Sequence, residues 1–506
     1  MAVKFRKACA VLLAVVGFIG CGDDGESSSA TLPPLLSLAA RRGADPGIFD
    51  SRGRQVLLRG VNLNSLGDYY QDNPRLPPVL PWSEEDFAQM AALGFNVVRL
   101  VLSWSALEPE RGSWNQAYVQ EIRRAVDSAK RAGVYVVLDM HQDAWGKFIA
   151  TPPGVDCGPS RERAIGWDGA PQWATLTDGR STCRSPGVRE LSPAVSQAFE
   201  NFYADRDGIQ SAFVSTWARL VAAFAQEPAV AGYDLFNEPH WGNNIVAATP
   251  KLATFYARLI PAIRAAERAA GGFPHIVFFE PLILWPVGDS APDPAAIVDD
   301  NVVFAPHNYA ESITGFNSLT IEQAFEQARH DAARYGTTFW IGEYGWFADP
   351  PRNQERLLRY ATLEDTLFIG GAWWQWKQAC GDPHSIGVPG REPPPLLIHL
   401  RYTECPGDVD HGWVPEWVQV LSRPYPRATP GRVARFRSDP LQWEMDLEGT
   451  ADAPGEADLW IPDRSGLRPV VAGAGVQRVR LVPVAGGYRA FVSVRGTYNI
   501  QVRWTR

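Results

Sequence analysis

Two glutamates carry the chemistry that this sequence suggests. Glu238 sits in Asn237-Glu238-Pro239 after the run YDLF, and Glu343 sits in Gly342-Glu343-Tyr344-Gly345 after TFWI. Two carboxylates facing each other across a pocket are what glycoside hydrolysis needs, one as acid/base and one as nucleophile, and retention of configuration calls for roughly 5 Å between them. Other polar and aromatic residues stand at or near the ends of similar apolar runs: Asn62, Arg99, His141, Glu280, His307, Tyr309 and Trp374. His307 and Tyr309 are two apart, which puts them on one face of a strand. Each has a plainer alternative. The glutamates could be ion-pair members, the histidines satisfied core groups, Arg99 the partner of a core carboxylate, Asp143 a loop acid and Glu280 a purely structural residue. With eight histidines, no HExxH and no CxxC, neither a metal nor another cofactor is expected.

The elements that must position these residues alternate. Short apolar runs at 55–62, 96–104, 134–141, 230–238, 275–281, 302–309, 338–344 and 370–376 read as strands. Between most of them lie amphipathic segments at 83–93, 116–132, 194–225, 251–270, 321–335 and 353–367, while the proline-rich 282–301 allows a short helix at most. Ser83 with Asp86 forms a capping-box start, and Gly94 and Gly133 are stops. Near-continuous apolar strands separated by helices predict a parallel sheet buried on both faces, and eight such units predict an α/β fold of the (β/α)8 TIM-barrel kind over residues 46–425. An open doubly wound sheet is the rival, but no GxGxxG follows the first strand. After Pro424, Pro426, Pro430 and Gly431 the pattern turns to alternation (433–438, 441–449, 457–462, 477–484, 488–494, 497–504), which predicts an antiparallel β-sandwich over 426–506 that packs on the barrel.

The chain has 506 residues, 45% of them hydrophobic and 21% charged, and a net charge of −8. Those figures fit a large packed domain with a smaller one and argue against a nucleic-acid partner. Lys4, Arg6 and Lys7 precede the apolar stretch 8–20, so residues 1–20 read as a signal peptide. Its end, Phe18-Ile19-Gly20-Cys21 before an acidic, Ser-rich stretch, resembles a bacterial lipobox, although Phe18 stands where Leu is usual. Cys21 is then the lipidation site, 21–45 a flexible tether, and the protein is exported to the cell envelope, lipid-anchored to a membrane. The alternative is an ordinary cleaved signal and secretion. Cys9 leaves with the signal, which leaves Cys157, Cys183, Cys380 and Cys405 for disulfides. The simplest pairing is local, Cys157–Cys183 and Cys380–Cys405, though four cysteines allow three connectivities.

The motifs around Glu238 and Glu343 resemble those of the retaining glycosidase clan with glutamates after strands 4 and 7, in particular glycoside hydrolase family 5. Asp139-Met-His-Gln-Asp143, Trp104-x-x-Leu-Glu-Pro-x-x-Gly112, Arg423-Pro-Tyr-Pro426 and the trailing sandwich resemble its endoglycoceramidase branch, which cleaves between an oligosaccharide and ceramide. The resemblance implies roles. Glu238 is the acid/base, its pKa raised by burial and by the charge of Glu343, and Glu343 is the nucleophile. Asn237 bonds the sugar 2-OH, Arg99 and Tyr309 aim Glu343, His141 and His307 line the −1 site, Asp143 accepts from sugar hydroxyls and Trp374 stacks on the sugar. His240-Trp241 after the NEP motif departs from the family pattern on the aglycone side. The implied partner is a glycolipid or oligosaccharide, and the implied state is a monomer held at a membrane surface by its lipid. Apolar loop residues at 76–81 and 282–287 could receive a lipid aglycone. Alternatives are a β-glucosidase acting on simple glucosyl lipids, a cellulase- or mannanase-like endo-glycanase and, in a different class, a catalytically inactive carbohydrate-binding barrel.

Overall fold

The strand-helix alternation closes into a barrel. In the computed structural model, which describes residues 32–313 and 319–506, eight parallel strands run β1 (Arg59–Leu63), β2 (Val97–Ser103), β3 (Tyr135–His141), β4 (Val230–Asp234), β5 (Ile276–Phe279), β6 (Val302–Phe304), β7 (Ile341–Tyr344) and β8 (Gly371–Trp373). Neighbours in this order are hydrogen-bonded, β8 pairs β1, and parallel bridges Phe304–Phe339 and Asn308–Tyr344 join the sixth and seventh runs, so no edge is left. The predicted helices are present. The second, Gln116–Ala132, ends on Gly133 at φ 73°, a left-handed stop that glycine tolerates best. The stretch 194–225 is two helices, Pro193–Tyr203 and Ile209–Phe224, broken where Asp205, Asp207 and Gly208 take positive φ.

Alternation along the strands lifts the site residues to the mouth. Val97, Val137, Ile276, Phe278, Val303, Ala305 and Ala372 form the dry interior of the barrel, whereas Val98, Leu100, Val136, Leu138, Val277 and Phe279 pack against the helices. A side-chain period of two then continues the inner rows to Arg99, to Asp139 and His141, to Glu280, to His307 and Tyr309, and to Trp374. Polar groups at these positions sit on a packed apolar floor, which makes their partners and spacing rigid.

The tether expected to reach residue 45 is ordered before that: Leu38–Arg41 pairs antiparallel with Gly47–Asp50, burying Leu38 and Ala40. These strands and Gln55–Val56 join the C-terminal sheet through Tyr425–Thr429, and Leu57 lies in the C-terminal core, so residues 34–506 form one compact unit. The four segments expected at 441–449, 457–462, 488–494 and 497–504 are two long strands, Glu444–Pro462 and Gly487–Thr505, which bend past a register shift between Ala451 and Gly455. Pro and Gly there mark a bulge instead of a turn. The two halves of the bent sheet share one core around Leu447, Leu459, Val492 and Ile500, as a sandwich does. The signal peptide and Cys21 lie outside the described residues. Among the described residues no helix is long and apolar enough to cross a membrane. The disulfides are Cys157–Cys183 and Cys380–Cys405, each with Cα atoms 5.6 Å apart, as the local pairing predicted.

Candidate active site

Glu238 and Glu343 meet at the barrel mouth. A carboxylate oxygen of each, together with a ring nitrogen of His307, lies within 4.8 Å of the others. Inverting enzymes keep their carboxyls about 6.5–9.5 Å apart, so this gap suits direct attack on a sugar carbon and leaves no room for an intervening water. Glu343 is held at both oxygens, Arg99 Nη1 donating to Oε1 at 2.8 Å and the Tyr309 hydroxyl to Oε2 at 2.9 Å. Gly342 precedes it for a steric reason: a Cβ there would stand 2.9 Å from His307 Nε2. Glu238 has φ 40°, an uncommon backbone conformation for a residue with a side chain. Its Oε1 is 3.0 Å from His307 Nδ1 and its Oε2 accepts from Arg189 Nη2 at 3.1 Å.

Beneath the pair, the fully buried Arg99 guanidinium also reaches Asp139 (3.0 Å), Asp234 (2.8 Å) and Glu280 (3.0 Å). One cation among four carboxylates cannot balance them. Burial and the charge of Glu280 accordingly push Asp234 well above the usual carboxylate range despite Arg99. Burial works against a charged His307, but the charges of Glu280 and Glu343 and the hydrogen bond to Glu238 hold its pKa well above that of a free imidazole. Glu238 corrects the expectation of a raised acid/base pKa. Burial does push it up, yet the hydrogen bond and charge of His307, with the Arg189 guanidinium, outweigh burial and hold it below the ordinary value. The His307–Glu238 pair therefore keeps its proton on the imidazole.

The remaining predicted residues divide. His141 bonds Asp139 at 2.6 Å, which overcomes the opposing effect of burial and raises its pKa to about 9, and its ring stacks on Trp374 at 5.5 Å. His141, Asp143, His307, Tyr309 and Trp374 line the cavity of about 540 Å³ that opens over the glutamates. Asn237, next to Glu238, is braced from below: its Oδ1 accepts from Arg99 and its Nδ2 donates one hydrogen to the Gln142 carbonyl. The apolar stretch at 76–81 is not a wall, since Leu76 packs on Cys380 and Leu397. Trp145 is likewise loop packing, wedged against Phe199 and Phe202.

Two cavity residues escaped the sequence reading because they lie on long aperiodic loops. Arg189 comes from the β3 loop that Cys157–Cys183 ties, lies over the Trp167 ring at 4.6 Å, and pairs with Asp143 (2.6 Å), Glu190 and Glu238. His384 comes from the β8 loop that Cys380–Cys405 ties. Burial opposes its charge, but Asp382 (2.7 Å) and Asp143 (3.1 Å) raise its pKa to about 10. The clustered cysteines were the one available signal that these loops are built. Arg99 and Arg189 supply positive charge to the same carboxylate clusters that could otherwise hold a metal ion.

The cavity is two-sided. The loops after β3 and β8 make a polar wall with Asp143, Arg189 and His384, while Pro281 to Val287, Trp241, Ile313 and Phe347 make an apolar one. The apolar run is fastened beside the acid/base position, Ile283 N–H donating to the Pro239 carbonyl at 3.0 Å.

Residues 49–380 match the family Cellulase (glycosyl hydrolase family 5). Endoglycoceramidase I of Rhodococcus hoagii (strain 103S) is 27% identical over 458 residues, 85% of this chain and 82% of its own. A crystal structure of endogalactoceramidase is 44% identical with a TM-score of 0.84, covering 92% of this chain and 99% of that one. Endo-glycoceramidase II from Rhodococcus sp., in a cellobiose-like imidazole complex, is 25% identical with a TM-score of 0.68, covering 90% and 98%. This chain is a glycosidase belonging to glycosyl hydrolase family 5, in its endoglycoceramidase-like branch.

Proposed function

We propose that this protein hydrolyses the bond between a glycan and a ceramide-type lipid aglycone, with retention, by double displacement through Glu343 and Glu238. The observation that carries the substrate class is the apolar wall fastened beside Glu238: the leaving group departs on the acid/base side, and Leu282 to Val287 there offer hydrocarbon, with Val287 and Ile313 still 46% and 54% exposed. The relatives named endoglycoceramidase and endogalactoceramidase support the same substrate class.

In the first step Glu343 attacks the anomeric carbon while Glu238 protonates the departing oxygen. In the second, Glu238 takes a proton from water, which attacks the same carbon and frees Glu343. The proton that Glu238 delivers is held 3.0 Å away on His307, and an aglycone oxygen that displaces Arg189 from Oε2 shifts that proton toward Glu238. Trp374 with His141 packs on the −1 sugar, and Asp143, Arg189 and His384 bond the hydroxyls further out. The protein works as an exported monomer anchored through Cys21, which brings the cavity to glycolipids in a membrane.

Full-length protein incubated with fluorescent ceramide glycosides, galactose-linked and glucose-linked, and with cello- and manno-oligosaccharides tests this reading. Release of an intact oligosaccharide from a ceramide glycoside is the expected product. Cleavage of the oligosaccharides alone, or release of glucose only, would overturn the endo-lipid assignment.

A further inference from the structure

Glu280 directly follows β5 and is 2% exposed. Its carboxylate touches three parts of the machinery at once. Oε2 accepts the Glu238 backbone N–H at 2.8 Å, at the residue whose φ is 40°. Oε1 accepts from Arg99 Nη2 at 3.0 Å, the guanidinium that also holds Glu343. The same oxygen lies 3.3 Å from His307 Nε2, while His307 Nδ1 faces Glu238 at 3.0 Å and Glu343 at 3.5 Å. A residue that merely neutralised Arg99 would need none of the contacts to Glu238 or His307.

We propose that Glu280 is a positioning residue for catalysis, fixing the left-handed backbone of Glu238 and holding the His307 ring between the two catalytic carboxylates. The proposal rests on the reading of Glu238 as acid/base and Glu343 as nucleophile. An unusual backbone conformation persists only where its surroundings over-determine it, and the Glu280 carboxylate supplies a charge-assisted bond at that point. An imidazole buried among carboxylates binds its proton more tightly for each negative charge beside it. The groups facing His307 are Glu238 from the β4 end, Glu280 from the β5 end and Glu343 from β7, with Arg99, Tyr309 and Arg189 on the far sides of those carboxylates. Of the three facing carboxylates, Glu280 alone has no covalent or proton-transfer task.

The test is the pH profile of kcat/KM for Glu280→Gln and Glu280→Asp on a ceramide glycoside and on a dinitrophenyl β-glycoside, whose leaving group needs no acid. Glu280→Gln removes the charge, so the His307–Glu238 pair should release its proton earlier. The basic limb should fall by about 1–3 pH units, the range for an opposite charge within contact. The loss of rate should be larger for the ceramide glycoside than for the activated one. Glu280→Asp keeps the charge, so its basic limb should stay near the wild-type position even if its rate falls. A uniform rate loss with an unmoved limb in Glu280→Gln, or equal loss on both substrates, would overturn the proposal. If Glu280→Gln does not fold, a limb in Glu280→Asp that moves as far as about one unit counts against it equally. Glu238→Ala measured alongside separates the two levels: if it too loses rate equally on both substrates, the underlying acid/base assignment is what has failed.

Discussion

Arg189 gives the most quantitative handle on the acid/base. Its Nη2 lies 3.1 Å from Glu238 Oε2, with the two side chains 18% and 14% exposed. At an effective dielectric near 20, two unit charges at that separation interact by about 5 kcal/mol. Asp143 and Glu190 draw on the same guanidinium, so the net downward effect on Glu238 is smaller than that. Replacing Arg189 by Met keeps an unbranched stem over Trp167 and removes the charge. Asp143, left without Arg189, then adds its own repulsion, which acts in the same direction on Glu238. The His307–Glu238 pair binds its proton more tightly, and the basic limb of kcat/KM for a ceramide glycoside moves up by about 1–3 units. This is opposite in sign to the Glu280→Gln shift. Rates across pH with folded variant protein, checked by circular dichroism, read it directly. A limb that stays in place or moves down would refute the claim that Arg189 adds to His307 in holding Glu238 below its ordinary pKa.

Three further outcomes follow from the same contacts. Glu238→Ala should lose about 10²–10⁴-fold on a ceramide glycoside but much less in the first step with a dinitrophenyl β-glycoside, and added azide should restore turnover with a β-glycosyl azide as product, seen by mass spectrometry and NMR. His141, raised to about 9 by Asp139, contributes stability that is complete below its unfolded pKa near 6.5 and is lost as pH rises through about 9; thermal unfolding should show up to about 3 kcal/mol of loss across that window, and His141→Asn should lessen it. Removing Cys157–Cys183 as a double serine variant opens a 26-residue separation worth about 3–4 kcal/mol in the loop-entropy account. It should lower Tm and raise KM more than it lowers kcat, because that loop carries Arg189 and not the catalytic carboxylates. A variant with unchanged KM would show the loop to be no part of the substrate wall.

The barrel and the inner residues of the site were legible because they obey a period. Arg99, His141, His307 with Tyr309, and Trp374 each continue a row of inward apolar residues, so counting by two from the strand interiors reaches them. Glu238 and Glu343 stood out as carboxylates closing apolar runs. Arg189 and His384 obey no period. Their positions depend on disulfides and on loop-to-loop contacts such as Arg184 Nη2 to the Gly387 carbonyl at 2.5 Å, which only tertiary structure sets. The pKa of Glu238 failed for a related reason: burial could be foreseen, whereas the His307 imidazole and the Arg189 guanidinium that together outweigh it come from 69 and 49 residues away, the second on one of those loops. The C-terminal strands were fragmented at Pro454-Gly455 and Arg495-Gly496 because those residues usually turn a chain, and here they bend a continuous ladder. The strand at Leu38–Arg41 alternates over only four residues, too few to stand out from a tether.

The central claim, a covalent sugar on Glu343, is tested most directly by trapping it. A 2-deoxy-2-fluoro β-glycosyl fluoride of a sugar that the protein cleaves should inactivate it with time, and peptide mass mapping should find one glycosyl group on Glu343. Label on another residue, or steady turnover with products of inverted configuration and no label at all, would contradict the account.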